Sequence, residues 1–454
     1  MTRDSAVAGL AARLAGTVLM PGDPGFDTAT TPFNARNADS RPELVARVRD
    51  TADVAHAVEW AHATGVPVVP RGGGHSYAGY SSGPGLVVDL RQLDAVCVEA
   101  ATGRVTVGGG VRTGAIYAAL QRHDLAFPLG NSEQVGIGGL TLGGGVAAVS
   151  RAFGLTADSL VSTELVLADG SVRTCGATEN AELFWACRGG GGGNFGVNTS
   201  FTFQARRAVP SATCLLLWDR RDAQEVLAVM QEIMAAAPDE FAARIGLSRA
   251  GARRGTVSVV GQYLGAAAEL RDLLAPVLVR SRPGHVEIAD RTYWEAKDFL
   301  RHETSGDPFA VRTRCTPKPL ADKGIEAITA AVDRWPGSAN PDGAGVALFT
   351  WGGAVNRIPV GDSAFPHRDT LFLVSMDTSW SRRDARCVVR RNLAWLDELY
   401  EEMGEYATDA AYVNFTDPAL HNWRTAYYGP NLARLCEIKR RYDPDRVFDF
   451  PQAL

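Results

Sequence analysis

Three glycine clusters between residues 71 and 200 constrain this chain more than any other feature. The first is Arg71-Gly72-Gly73-Gly74-His75-Ser76-Tyr77, directly after the short apolar run Val66 to Val69. The second runs Val135-Gly136-Ile137-Gly138-Gly139, passes Thr141, and resumes at Gly143-Gly144-Gly145. The third is Gly189 to Gly193, followed by Asn194-Phe195-Gly196-Val197. Glycine reaches positive φ and admits a second backbone or a phosphate oxygen at close range. Successive N–H groups in such a loop converge on an anion, and a glycine run that opens a helix does the same. One cluster alone reads as a tight turn. Three in one alternating α/β region point to an extended, phosphate-bearing cofactor. No cluster has the GxGxxG spacing with an acidic residue about twenty positions on, and no Walker A motif occurs, so a different loop set must hold the phosphates.

At 454 residues the chain is too long for a single compact core, and at least two domains are expected. Residues 1–206 alternate helix and strand signals. Thr51 is read as the cap of a helix whose apolar face carries Val54, Val58 and Ala61, and Gly65 ends it. Asp169-Gly170 is a two-residue hairpin signal between Leu165 and Cys175. Ala6 to Met20 is read as a short surface helix, and the Gly143 to Gly145 run as the opening of a helical segment. From residue 207 to about 407 long strands such as Thr256 to Tyr263 alternate with helices such as Asp222 to Ala236, which predicts a sheet covered by helices on one face. Residues 408–454 form a distinct closing segment. The fold class is α+β.

The formal net charge of -5 leaves no basic excess for nucleic acid or an anionic membrane. The seven cysteines are scattered, odd in number and without a CxxC pair, so reduced thiols are expected rather than disulfides or a metal cage. No stretch is long and apolar enough to span a bilayer, and a cytoplasmic location is expected.

The run Pro70 to Ser76 closely resembles the histidyl-flavin attachment motif of the berberine bridge enzyme-like branch of the vanillyl-alcohol oxidase superfamily. Val135 to Gly139 with Gly143 to Gly145, Phe184-Trp185-Ala186 through Gly196-Val197, Tyr412-Val413-Asn414-Phe415, Tyr427-Tyr428-Gly429 and Lys439 to Phe448 follow the same family in the same order. The resemblance implies a two-lobed PCMH-type FAD-binding domain, a substrate domain of antiparallel sheet, and a tail that folds back onto the first domain. It implies FAD bonded through its 8α carbon to His75 and contacted by Arg71, Gly72, Gly73, Gly74, Ser76, Ser132, Val135, Gly136, Gly138, Gly139, Thr141, Gly144, Gly145, Asn194, Gly196, Val197, Tyr412 and Asn414. Relatives with a second, cysteinyl bond to the flavin carry that cysteine where Ser132 stands, so a single attachment is expected. A tyrosine that some relatives carry after the second glycine run is Val146 here, and Val135 occupies the position of the family's oxygen gate, where a small residue goes with oxidase behaviour.

The same resemblance makes Tyr412 the candidate base and Tyr77 a substrate-facing tyrosine. A free tyrosine has a pKa of about 10 and needs assistance to work near neutrality. Phe349-Thr350-Trp351-Gly352-Gly353 matches the strand that supplies a charged partner in relatives but carries no charge at its end. Arg357, His367 and Arg368 follow it and are candidates, and no charged constellation is legible elsewhere in the substrate domain. Trp294 and Phe299 are candidates for the pocket wall, and Tyr80 for packing. The expected reaction oxidises an alcohol, sugar or related group of a small molecule, with electrons passing to O2. A flavin oxygenase or oxidative cyclase, and a non-catalytic flavin-binding protein, remain alternatives on the same scaffold.

Overall fold

The computed structural model describes residues 3–251, 255–302 and 306–454. A first sheet contains β1 (Thr17–Leu19), β2 (Leu44–Arg47), β3 (Val68–Arg71) and β4 (Leu86–Asp89), in the order β1-β2-β4-β3. β2, β4 and β3 run parallel, which requires a crossover between β2 and β3. The helix Thr51–Thr64 provides it, burying Val54, Ala57, Val58 and Ala61 at helical spacing. Its cap is Asp50 rather than Thr51. Asp50 has extended backbone and its side chain accepts from Asp53 N at 2.8 Å, while Thr51 is already helical and bonds Glu164. Gly65 ends the helix at φ 68°. The N-terminal helix is also shorter than expected. It spans Arg3–Arg13, and Thr17–Leu19 leaves it to pair with β2.

Next come β5 (Val96–Glu99), β6 (Arg104–Gly108), β7 (Leu125–Ala126), β8 (Leu160–Val166), β9 (Val172–Gly176), β10 (Val197–Gln204) and β11 (Arg206–Arg207). Five of these form an antiparallel sheet in the order β5-β6-β10-β8-β9, and β7 pairs with β11. The β8–β9 hairpin turns at Asp169-Gly170 as expected, with a wider loop closed by Leu167 N to Ser171 O at 2.9 Å.

The third sheet contains β12 (Ser211–Asp219), β13 (Phe241–Arg249), β14 (Thr256–Tyr263), β15 (His285–Arg291), β16 (Phe309–Thr316), β17 (Ala344–Thr350) and β18 (Phe372–Ser379). Its order is β15-β12-β14-β13-β17-β18-β16, antiparallel throughout. Strand alternation decides its two faces. In β13, Phe241, Ala243, Ile245 and Leu247 join the core, while Ala242, Arg244, Gly246 and Ser248 point the other way. The core face is covered by the helices Ala223–Ala236, Ala267–Arg280, Asp322–Asp333 and Arg386–Glu402, whose Met230, Leu274, Ile328 and Leu396 join the same cluster. Each such side chain contributes about 1.5–3 kcal/mol on burial. The other face of the sheet looks into a cavity.

The closing segment returns to the first sheet. Val447 and Phe448 enter its core, and Val68 N donates to Val447 O at 2.8 Å. Lys439 fixes the return: its Nζ donates to Asn194 O at 2.8 Å, Phe448 O at 2.7 Å and Asp443 Oδ2 at 2.6 Å. Among the described residues, no helix is long and apolar enough to cross a membrane and all seven cysteines are unpaired.

Candidate active site

A cavity of about 950 Å³ lies between the glycine loops, the open face of the third sheet and the closing segment. The first two glycine loops meet backbone to backbone there. A Cβ at Gly73 or at Gly136 would run into the other's backbone nitrogen, so neither tolerates a side chain. Gly74 sits at φ 75° over the Arg71 guanidinium, which occupies the place its Cβ would take. Among the described residues, the N–H groups of Gly73 and Gly74 donate to no protein acceptor, so the loop presents free donors beside His75. A phosphate-bearing cofactor fits this cradle.

A strap from residue 31 to residue 37 holds the His75 loop in place. Arg71 Nη2 donates to Thr31 O at 2.7 Å and Phe33 N to Gly74 O at 3.2 Å. The Phe33 ring stacks on the His75 imidazole, centroids 3.6 Å apart and 19° between planes. Asn34 Nδ2 donates to Tyr77 O at 2.8 Å and Phe309 O at 3.1 Å, which ties the loop to β16. Nothing in the sequence signalled this strap, because its contacts reach 275 residues along the chain.

Most of the expected residues line the cavity: Gly72 to Tyr77, Ser132, Val135, Gly136, Gly138, Gly139, Asn194, Gly196, Tyr412 and Asn414. Arg71, Thr141, Gly144, Gly145 and Val197 do not. Arg71 is buried behind the loop and braces it through Thr31 and Ser81. Thr141 is fully buried, and Val197 belongs to the core of the first sheet. Gly144 backs onto Phe365. The Gly143 to Gly145 run closes the short helix Ile137–Leu142 rather than opening one, and Gly136 is that helix's N-cap. Of the remaining candidates, Phe299 and Tyr80 line the cavity, Tyr80 against Phe450 at 5.5 Å. Trp294 packs with Val149 and Tyr293 outside it.

Tyr412 is held by three donors in the wall. Its Oη accepts from Asn414 Nδ2 at 3.0 Å, Gly145 N at 3.1 Å and Val146 N at 3.2 Å. Burial pushes the phenol up to about 12, and the three donors pull the other way. Tyr77 stands beside it through Phe415, stacked at 5.3 Å, and burial first and the Asp377 charge second push it up to about 12.

The likeness of this architecture to known proteins covers nearly the whole chain. The FAD binding domain profile matches residues 42–176, and the berberine and berberine-like profile matches residues 411–454. The uncharacterized FAD-linked oxidoreductase YvdP of Bacillus subtilis is 33% identical over 97% of this chain and 98% of its own. The solved structure of Physcomitrella patens BBE-like 1 is 29% identical and covers 98% of both chains at a TM-score of 0.89. Glucooligosaccharide oxidase from Acremonium strictum, which carries a 6-S-cysteinyl, 8α-N1-histidyl FAD, is 27% identical and covers 99% of this chain and 100% of its own at a TM-score of 0.88. The chain belongs to the berberine bridge enzyme-like family of FAD-linked oxidases.

Among the cavity-lining residues of this berberine bridge enzyme-like chain there is no cysteine, and Ser132 and Val146 both face the space. The three candidates for a charged partner lie elsewhere. Arg357 pairs with Asp239 at the surface, Arg368 with buried Asp158 at 2.7 Å, and His367 is buried outside the cavity, where desolvation lowers it to about 4. The charges that do face the cavity from the sheet are Arg244 on β13 and Asp377 on β18. Sequence reading passed over both, because a polar residue in an alternating strand has the signature of a solvent-facing position.

Proposed function

We propose that this chain carries FAD bonded covalently to His75 and oxidises an alcohol or sugar carbon of a small molecule, with O2 as electron acceptor and H2O2 as second product. The observation that carries the reading is the trio of donors on Tyr412 Oη in the cavity wall. A protonated phenol oxygen accepts two hydrogen bonds at most, so three convergent N–H groups suit the phenolate. As the phenolate, Tyr412 takes the substrate hydroxyl proton at Oη and becomes the neutral phenol, and the N–H groups of Gly145, Val146 and Asn414 hold the phenolate charge until that transfer. Bound FAD supplies the two-electron oxidant.

The other residues position and exclude. The Phe33 stack fixes the plane of the His75 imidazole. Gly73, Gly74, Gly136 and Asn194 are the groups that would hold the cofactor's polar chain. Tyr77, stacked on Phe415 and edge-on to Phe309 at 4.9 Å, forms an aromatic wall for the substrate. Ser132 in place of a thiol, with no cysteine among the lining residues, supports a single tether, unlike the doubly linked FAD of glucooligosaccharide oxidase. The small Val135 side chain leaves room for O2. Residues 1–206 and 408–454 hold the cofactor in this reading, and residues 207–407 the substrate.

The test is anaerobic mixing of the yellow protein with a panel of sugars and alcohols, followed by aerobic turnover. The reading expects bleaching of the yellow flavin colour and one peroxide per substrate oxidised. Product oxygenated from O2 with little peroxide would make the enzyme an oxygenase, and a flavin that no compound bleaches would leave a binding scaffold.

A further inference from the structure

Among the described residues, Arg244 has no ion-pair partner in the floor of the cavity. It lies on β13, opposite Phe349 of β17 and Val260 of β14. Protein encloses it on every side except the cavity, from which solvent reaches it. Its guanidinium stands 5.8 Å from the centroid of the Phe349 ring and leans along its own strand over Gly246. A Cβ at Gly246 would come within 3.3 Å of Arg244 Nη1 and 3.1 Å of Ser258 Oγ, so a side chain there would crowd the guanidinium. No protein acceptor takes a hydrogen bond from it among the described residues, and no carboxylate lies within ion-pair distance. The other cavity-lining arginine, Arg301, is held by Glu133 at 3.7 Å.

Among the described residues, the opposing charge that acts on Arg244 is Asp377, which sits on β18 opposite Gly345 and Val311. Arg244 and Asp377 feel each other electrostatically without touching, and Gly246, Gly345 and Ala347 leave an open floor between them. Desolvation by the surrounding protein holds the Asp377 carboxyl up to about 6 and lowers Arg244. Asp342, on the same rim, adds to the upward push on Asp377.

A guanidinium that opens into a cavity without a protein acceptor has its donors available to a ligand, and a planar carboxylate is the group that matches their fork in two parallel bonds. The ring of Phe349 leads from Arg244 to Phe415 at 5.9 Å, and Phe415 leads to Tyr412 at 5.4 Å. Phe349 and Phe415 thus form a continuous aromatic wall between Arg244 and Tyr412, both of which line the cavity.

We infer that Arg244 is a recognition subsite for a carboxylate, and that the substrate is a hydroxy acid or an acidic sugar of the uronate type rather than a neutral one. The inference rests on the oxidase reading for the position of the reacting hydroxyl, but not for the binding itself. Asp377 opposes the bound carboxylate and sets how strong the preference is.

Anaerobic calorimetric titration of the flavin-loaded protein with glucuronate against glucose, and galacturonate against galactose, tests it. The acid of each pair is expected to bind about tenfold to a hundredfold tighter, the range of one charge-assisted arginine contact. Arg244→Met equalises the pair, Arg244→Lys keeps part of the preference, and Asp377→Asn widens it. Flavin content and thermal midpoint of each variant identify any that fail to fold. Equal binding of acid and neutral sugar by the native protein, or a preference that survives Arg244→Met, overturns the subsite. Peroxide release is scored separately. Peroxide from neutral sugars at a rate indifferent to position 244 removes the subsite and leaves the oxidase, whereas a position-244-dependent preference without peroxide keeps the subsite and removes the oxidase.

Discussion

Replacing Tyr412 with phenylalanine removes one oxygen and leaves three donors to be accounted for. Asn414 Nδ2 retains Leu140 O at 3.0 Å, and Val146 N borders the cavity, where water can replace the phenol. Gly145 N is buried and keeps no acceptor. One orphaned buried donor costs about 1–3 kcal/mol, so Tyr412→Phe should lose about 2 kcal/mol in urea denaturation while staying folded and yellow. Loss of a positioned base costs about 10²- to 10⁴-fold, which is the expected fall in the rate of anaerobic flavin reduction. The pH profile separates the two effects. With Tyr412 pushed up to about 12, its basic form becomes more populated as pH rises, so native kcat/KM should climb from neutrality to pH 10 without levelling. The climb should vanish in the variant. A rate within a factor of about ten of native, or an unchanged climb, would refute the assignment of Tyr412 as the base.

Other consequences follow from the fold. Lys439→Met leaves the Asp443 carboxylate buried without its cation and should cost about 3–5 kcal/mol by denaturant titration, with a less than additive cost when Asp443→Asn is added. His367 is lowered from 6.5 to about 4 by desolvation, so its neutral form stabilises the fold above pH 6.5. That contribution, on the order of 3 kcal/mol, should drain away as pH falls from 6.5 to 4, visible as a slope in unfolding free energy that His367→Gln flattens. Phe33→Ala removes a stacked pair worth about 0.5–1.5 kcal/mol and should slow covalent flavin attachment about two- to tenfold, read as the coloured fraction of freshly made protein after acid precipitation.

The parts of the site that were legible in the sequence are those whose local conformation demands a particular residue. Gly73 and Gly136 announce themselves because no other residue allows the two loops to touch, and the third sheet does so because long apolar strand segments such as Thr256 to Tyr263 recur between helical ones. The near misses are local as well. Asp50 and Thr51 are both good caps, and only the extended backbone at Asp50 decides between them. Gly143 reads equally as the start or the end of a helix until Gly136 is seen capping the turn before it. What sequence could not show depends on pairing between distant strands. Arg244 looks like a surface arginine until β13 is placed with its polar face toward the cavity, and Phe33 has no visible role until the strap meets His75.

The bond to His75 is the claim on which the account turns. Expressed protein denatured and precipitated in acid should stay yellow, and His75→Ala handled identically should give a colourless pellet and a yellow supernatant or no flavin at all. Colour that washes out of the native pellet, or that persists in His75→Ala, would contradict the account.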